Sequence, residues 1–360
     1  MAADQKDFLK TERGRLARRV ALAMTEMKNT SGMREKYPVG LIDIDLWEWP
    51  QGVGLYGLTR YYERTGDENV FRFLCDWMDR HLKAGPPERN VNTTIPCLTL
   101  LILYERTKRA EYLEACAEWA EWIMRDLIRL EDGIFQHMIT GDPNDGQILI
   151  DTLFMAVLFL ARMGRVLHRQ EYRDEALRQI LVHIKYLYDP AHELFYHGYD
   201  FRYRHHYGAV HWGRGNAWFT AVMAELITEL APTGGVYDYL RDTFEDHCRA
   251  LAALQEKNGL WHTVLDDPDS YCETSASACI AYGILRGINL GLLPAELASC
   301  AEKAIEGVIG QIDENGVVQG VSYGTPVGND AEFYKTIPVC PMTYGQALTL
   351  LMLTEAEAQL

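Results

Sequence analysis

The feature that most constrains this chain is a recurrence. Six times, a short polar or aromatic cluster runs straight into an apolar helical stretch. With Trp49, Asn92, Asp151, Arg214, Glu273 and Tyr344 as markers, the intervals are 43, 59, 63, 59 and 71 residues. Between the markers lies a second kind of helix. "EYRDEALRQILVHIKYLYD" sets Ala176, Ile180, Leu181, Ile184 and Leu187 on one face and charges on the other, so it is half-exposed. "TLFMAVLFLARMGRVL" is apolar almost all round, as suits a helix buried on both sides. A degenerate repeat of such pairs, far longer than the ~34 residues of a TPR unit, predicts a closed stack. The expected fold is all-α, an (α/α)6 barrel of six inner and six outer helices in a single domain over residues 1–360.

In such a ring the six clusters sit at inner-helix N-termini and gather at one end. Helix N-termini carry unpaired N–H groups and positive partial charge, so that end suits an anionic ligand. The formal charge of −16 argues against nucleic acid but leaves room for a small anion in a local site. With 48% hydrophobic residues the chain can fill a large core, yet no 18-residue apolar run spans a membrane. The N-terminus reads as an amphipathic helix without a secretory cleavage pattern. Eight scattered cysteines with no CxxC read as buried thiols. Together these point to the cytoplasm.

"HWGRGNAWFT" is the densest cluster. An Arg between glycines can bring its fork close to a carboxylate or pair with a loop acid. Trp212 reads as a sugar-stacking residue, and Trp218 as that or as core. Asp151 is either an N-cap or a general acid/base in a desolvated pocket, where the helix terminus lowers its pKa and burial raises it. His197, His205, His206 and His211 lie close together near Asp200 but lack metal-ligand spacing, so no metal and no cofactor are expected. His197 fits better as a hydrogen-bond donor in the pocket. "GVGLYG" follows no strand and reads as helix entry, not a dinucleotide site. "DDPDS" reads as a solvated loop.

Several motifs resemble glycoside hydrolase family 105, the unsaturated rhamnogalacturonyl hydrolases. "WGRGNAWF" resembles that family's W-x-R-G-N-x-W signature and "QILIDTLFMAV" its catalytic-Asp segment. "WEWPQGVGLYGL", "ELFYHGYD" and "YCETSASACIAYGI" follow its pattern, in order, over residues 38 to 353. The resemblance implies removal of a 4,5-unsaturated uronic acid from the non-reducing end of lyase-cut pectin oligosaccharides. It implies Asp151 as general acid/base, with His197, Trp212, Arg214 and Trp218 around the uronate. Trp49, Asn92 and Asn216 complete the expected substrate contacts. Members often carry a second acid in the second unit, where this chain reads Asn92-Thr93-Thr94. The rival enzyme reading is an unsaturated glucuronyl hydrolase acting on glycosaminoglycan-type or other uronate disaccharides. A non-catalytic helical scaffold is the rival of another class. The expected partner is an unsaturated uronyl oligosaccharide, with no nucleic acid and no membrane; a homodimer is compatible with the sequence.

Overall fold

A computed structural model describes residues 8–28 and 42–357. The first seven residues of the expected N-terminal helix lie outside them. The inner helices are α2 (Trp49–Thr65), α4 (Pro96–Thr107), α6 (Leu158–Val166), α8 (Gly213–Leu230), α10 (Thr274–Asn289) and α12 (Thr343–Ala356). The outer ones are α1 (Glu12–Thr25), α3 (Glu68–Ala84), α5 (Ala110–Arg125), α7 (Gln170–Leu187), α9 (Gly234–Ala253) and α11 (Ala298–Ile309). Each inner helix packs on the next, and α12 returns to α2 to close the ring. Five outer helices follow their inner partners in the chain. The sixth, α1, comes first and backs α12, so the two ends of the chain complete the last pair. This is the (α/α)6 barrel that the repeat predicts.

Helix composition follows position. Every residue of α8 is buried except Thr228. Outer α7 buries one stripe, with Ala176, Ile180, Ile184 and Leu187 inward and Leu181 half-buried. The same stripe also carries Gln179, which donates to Gly133 O and accepts from Phe135 N, tying the loop before β1 to the helix. The inner ring is tight where glycine allows it. A Cβ on Gly57 would lie 2.7 Å from Ala347 Cα, and one on Gly283 would lie 2.4 Å from Thr220 O. "GVGLYG" therefore serves helix contact within α2.

The two ends of the barrel differ. At the inner-helix C-termini, half-buried Arg side chains alternate with buried or half-buried Glu. Arg286 meets Glu225 at 3.0 Å and Glu355 at 3.6 Å, while Arg162 meets Glu105 at 2.8 Å and Glu229 at 3.3 Å. At the other end lie three antiparallel ribbons, β1 (Gln147–Leu149) with β4 (Gly198–Asp200), β2 (Tyr188–Asp189) with β3 (Leu194–Phe195), and β5 (Trp261–His262) with β6 (Cys272–Glu273). The eight cysteines are free thiols, five of them buried. No helix among the described residues is long and apolar enough to cross a membrane.

Candidate active site

The ribbon end holds a pocket. Trp49, Asn92, Asp151 and Arg214 line it directly. Tyr344 stacks on Trp49 at 4.6 Å, and Glu273 lies 3.8 Å from Arg214. All six markers thus meet at one place, because each opens an inner helix at the same end.

Asp151 sits between β1 and a π-helical turn, Leu153–Val157, that leads into α6. π turns often mark functional sites. Its backbone carbonyl accepts from Phe154 N and Met155 N, but the carboxylate caps nothing: Oδ2 is buried without a hydrogen-bond partner. The N-cap reading is therefore set aside. Burial pushes the Asp151 carboxyl up to about 7, against the pull of the Arg214 charge. The Trp218 indole N–H also favours the anion, although it stays outside hydrogen-bond geometry. Of the two opposing effects on this group, burial wins.

His197 approaches Asp151 from behind the pocket wall. The register Leu149↔Gly198 and the bond from Ile150 N to His197 O at 3.1 Å bring it there. Its Nε2 is 3.7 Å from Asp151 Oδ2 and has no partner. Burial, with His137 and Arg214 nearby, holds its pKa well below the usual imidazole range, so the ring is neutral. Nδ1 lies 2.7 Å from the Tyr334 hydroxyl, which accepts from Gly328 N at 3.1 Å. All these groups are satisfied when the phenol donates to Nδ1. That arrangement puts the imidazole proton on Nε2, facing Asp151.

Arg214 is 1% exposed, and its fork is already engaged. Nη1 donates to Ser322, and Nη2 donates to Tyr323 O at 3.2 Å and Thr325 Oγ1 at 3.0 Å. The planar group also lies over Trp212 at 4.6 Å. A two-pronged clamp on a ligand carboxylate is not on offer; only Nε remains without a partner. Arg214 instead builds the wall formed by Thr325, Pro326 and Val327.

Two of the expected substrate contacts, Asn216 and Trp218, do not line the pocket. Asn216 is fully buried away from the pocket; its amide accepts from Phe195 N and donates to Phe195 O and Trp212 O. It fastens β3 to α8. Trp218 is sealed behind the floor, 4.9 Å from Phe154, and presents no face to a sugar. Trp212 does line the pocket, with His197 at 4.1 Å behind it.

The sequence reading missed His137, Asn144, Gln147 and Met155 in the lining, and Tyr334 behind it. His137 ends "DGIFQH" (132–137), a short segment of turn, apolar and then polar residues that follows α5 and was a usable signal. Its Nδ1 pairs with Thr152 Oγ1 at 2.8 Å, and burial drives its pKa down to about 3. The other signal was the long fifth interval, whose extra residues supply the 322–335 wall. Among the described lining residues Asp151 is the single acid. Around it, Trp212 Nε1, Trp218 Nε1, Arg214 Nε and His197 Nε2 are buried nitrogens without partners.

The family model for Glycosyl Hydrolase Family 88 matches residues 18–360. The chain is 36% identical over 312 residues to the unsaturated rhamnogalacturonyl hydrolase YesR of Bacillus subtilis, covering 86% of this chain and 89% of that protein. A crystal structure from Salmonella enterica, described as a possible member of the GH105 family, superposes with a TM-score of 0.93 at 37% identity, covering 96% of this chain and 93% of that one. The unsaturated glucuronyl hydrolase of Bacillus sp. GL1 shares the fold, with a TM-score of 0.73 at 20% identity over 94% of this chain and 95% of that one.

Proposed function

The chain belongs to glycosyl hydrolase family 88 and is a glycosidase, and from that premise we propose that Asp151 alone runs the reaction by hydrating a 4,5-unsaturated uronyl group. The observation that carries this reading is the solitary carboxyl with a pKa of about 7 on the pocket floor. Ordinary glycosidases need two carboxyls about 5–9.5 Å apart. Hydration of a vinyl ether needs one. The protonated Asp151 delivers its proton to C4, and the C4=C5 electrons form the new C–H bond. Positive charge develops at C5 and is shared with the ring oxygen. Water then adds to C5 and yields its proton to the Asp151 carboxylate, which restores the starting acid. The C5 hemiketal opens by breaking its bond to the ring oxygen. The hemiacetal left at C1 expels the aglycone.

The surrounding groups suit that sequence. The neutral His197, with its proton on Nε2, favours the Asp151 anion at the moment the proton leaves. The unpartnered Trp212 indole N–H on the pocket wall provides a donor for the uronate carboxylate or hydroxyls. The substrate is a rhamnogalacturonan-type oligosaccharide, a reading supported by the 36% identity to a rhamnogalacturonyl hydrolase. The glucuronyl hydrolase reading is not favoured, since its 20% identity carries the fold alone. Residues of all six helix pairs form one catalytic domain, which the packing of α12 on α2 supports, and the eight free thiols support a place in the cytoplasm.

The test is isotopic. Turnover of an unsaturated rhamnogalacturonan disaccharide in D₂O is expected to put deuterium at C4. H₂¹⁸O is expected to label C5. Label at C1 with no deuterium at C4 would show direct attack on the anomeric carbon and refute hydration.

A further inference from the structure

Outside the pocket, the turn between β2 and β3 and the entry to α8 bring a second group of side chains together. Asp189 Oδ2, His192 Nδ1 and His211 Nε2 all lie within 4.8 Å of one another. His192 Nδ1 is 2.7 Å from the Asp189 oxygen, and His211 Nε2 is 3.2 Å from it. The Tyr196 hydroxyl donates to the same oxygen at 2.9 Å.

His211 is the informative member. It is 3% exposed, and its Nδ1 pairs with Asp266 Oδ2 at 2.8 Å. That bond fixes the ring with Nδ1–H donating and turns Nε2 toward Asp189. Yet Nε2 makes no hydrogen bond, because it is within reach of the carboxylate but out of line with it. A buried ring nitrogen is thus aimed at a carboxylate oxygen with no hydrogen bond made between them. An imidazole held from behind by a carboxylate is the usual arrangement of a metal-ligating histidine.

We propose that Asp189, His192 and His211 bind a divalent transition ion of the zinc class, with Asp266 orienting His211. Bonds of about 2.0–2.2 Å in tetrahedral geometry set ligand atoms roughly 3.3 Å apart, close to the separation of His211 and Asp189. His192 is exposed and free to swing outward by the small amount required. Two imidazoles and one carboxylate favour zinc over calcium or magnesium, which prefer all-oxygen shells. The ion would tie the β2–β3 turn to the start of α8 and, through Asp266, to the loop after β5. None of its ligands lines the pocket, so its role is structural.

The probe is zinc itself, added to chelator-stripped full-length protein and followed by calorimetry, with cobalt absorption as a check on four-coordinate geometry. Wild type is expected to take up one equivalent and to melt at a higher temperature with zinc. His192→Ala removes an exposed side chain, so the fold stays intact, and it is expected to abolish both effects. Asp266→Asn is expected to weaken binding by about 10–100-fold. His205→Ala, a neighbouring histidine outside the cluster, is expected to bind like wild type. Absence of binding by wild type, or equal binding by His192→Ala, overturns the site. Turnover is expected to survive stripping; turnover that is lost and then restored by zinc would overturn the structural role while leaving the site in place.

Discussion

Replacing Asp151 with Asn separates what this group does for chemistry from what it costs the fold. The carboxyl has a pKa of about 7 in the folded protein against an ordinary 3.8. At 1.36 kcal/mol per pH unit, that difference amounts to about 4 kcal/mol, taken as an upper bound. The sign follows from proton counting. Between pH 4 and 7 the unfolded chain has released this proton while the folded chain keeps it, so stability falls as pH rises through that window. Asn carries no such penalty, and Oδ2 has no hydrogen bond to lose. Urea unfolding should therefore find Asp151→Asn equal to wild type near pH 4. It should be more stable by up to about 4 kcal/mol at pH 7, with no further gain above. Activity should move the other way. Loss of a general acid–base group lowers the rate about 10²–10⁴-fold, and a group used in both steps belongs at the top of that range. The wild-type rate should fall above pH 7 as the acid form disappears. Turnover is read as loss of the ultraviolet absorbance of the conjugated double bond. A folded Asp151→Asn enzyme with near-normal turnover would refute the mechanism. A mutant less stable than wild type at pH 7 would refute the burial argument.

Three further outcomes test the surrounding groups. Arg214→Lys keeps the charge but loses the fork that holds Ser322, Tyr323 and Thr325, so KM should rise and kcat/KM fall roughly 10-fold or more, with about 1–3 kcal/mol of stability lost; unchanged kinetics and melting would release Arg214 from the wall. Asn216→Ala leaves the buried Phe195 N–H and C=O unpaired, which should cost about 2–4 kcal/mol by denaturant titration while KM of the surviving folded enzyme holds; a changed KM with intact stability would return Asn216 to the substrate. Tyr334→Phe frees the His197 tautomer, so kcat should drop about 10-fold with KM steady, and the alkaline limb of the pH–rate profile should shift; an unmoved profile would show that Tyr334 only fills space.

The barrel was legible because its cause is periodic. An inner helix must be apolar all round and an outer helix on one stripe, and that difference is written residue by residue. The shared end of the polar clusters followed from their place at helix starts, so Trp49, Asn92, Asp151 and Arg214 could be read as neighbours before any coordinates. Within "HWGRGNAWFT" the reading went further than sequence allows. Alternating large residues look as if they share a face. Once α8 begins at Gly213, each residue turns ~100°, so Asn216 points about 200° away from Arg214 and meets Phe195 instead. Trp218 returns to the face of Arg214, but one turn deeper, behind the floor. The hydrogen-bond partners of Arg214 lie more than 100 residues away, Tyr334 lies 137 from His197, and Asp266 lies 55 from His211. Nothing local encodes those meetings. They arise because a closed ring brings the loops of distant units over one mouth. Burial there, which depends on every unit at once, sets Asp151 near 7 and holds His197 neutral.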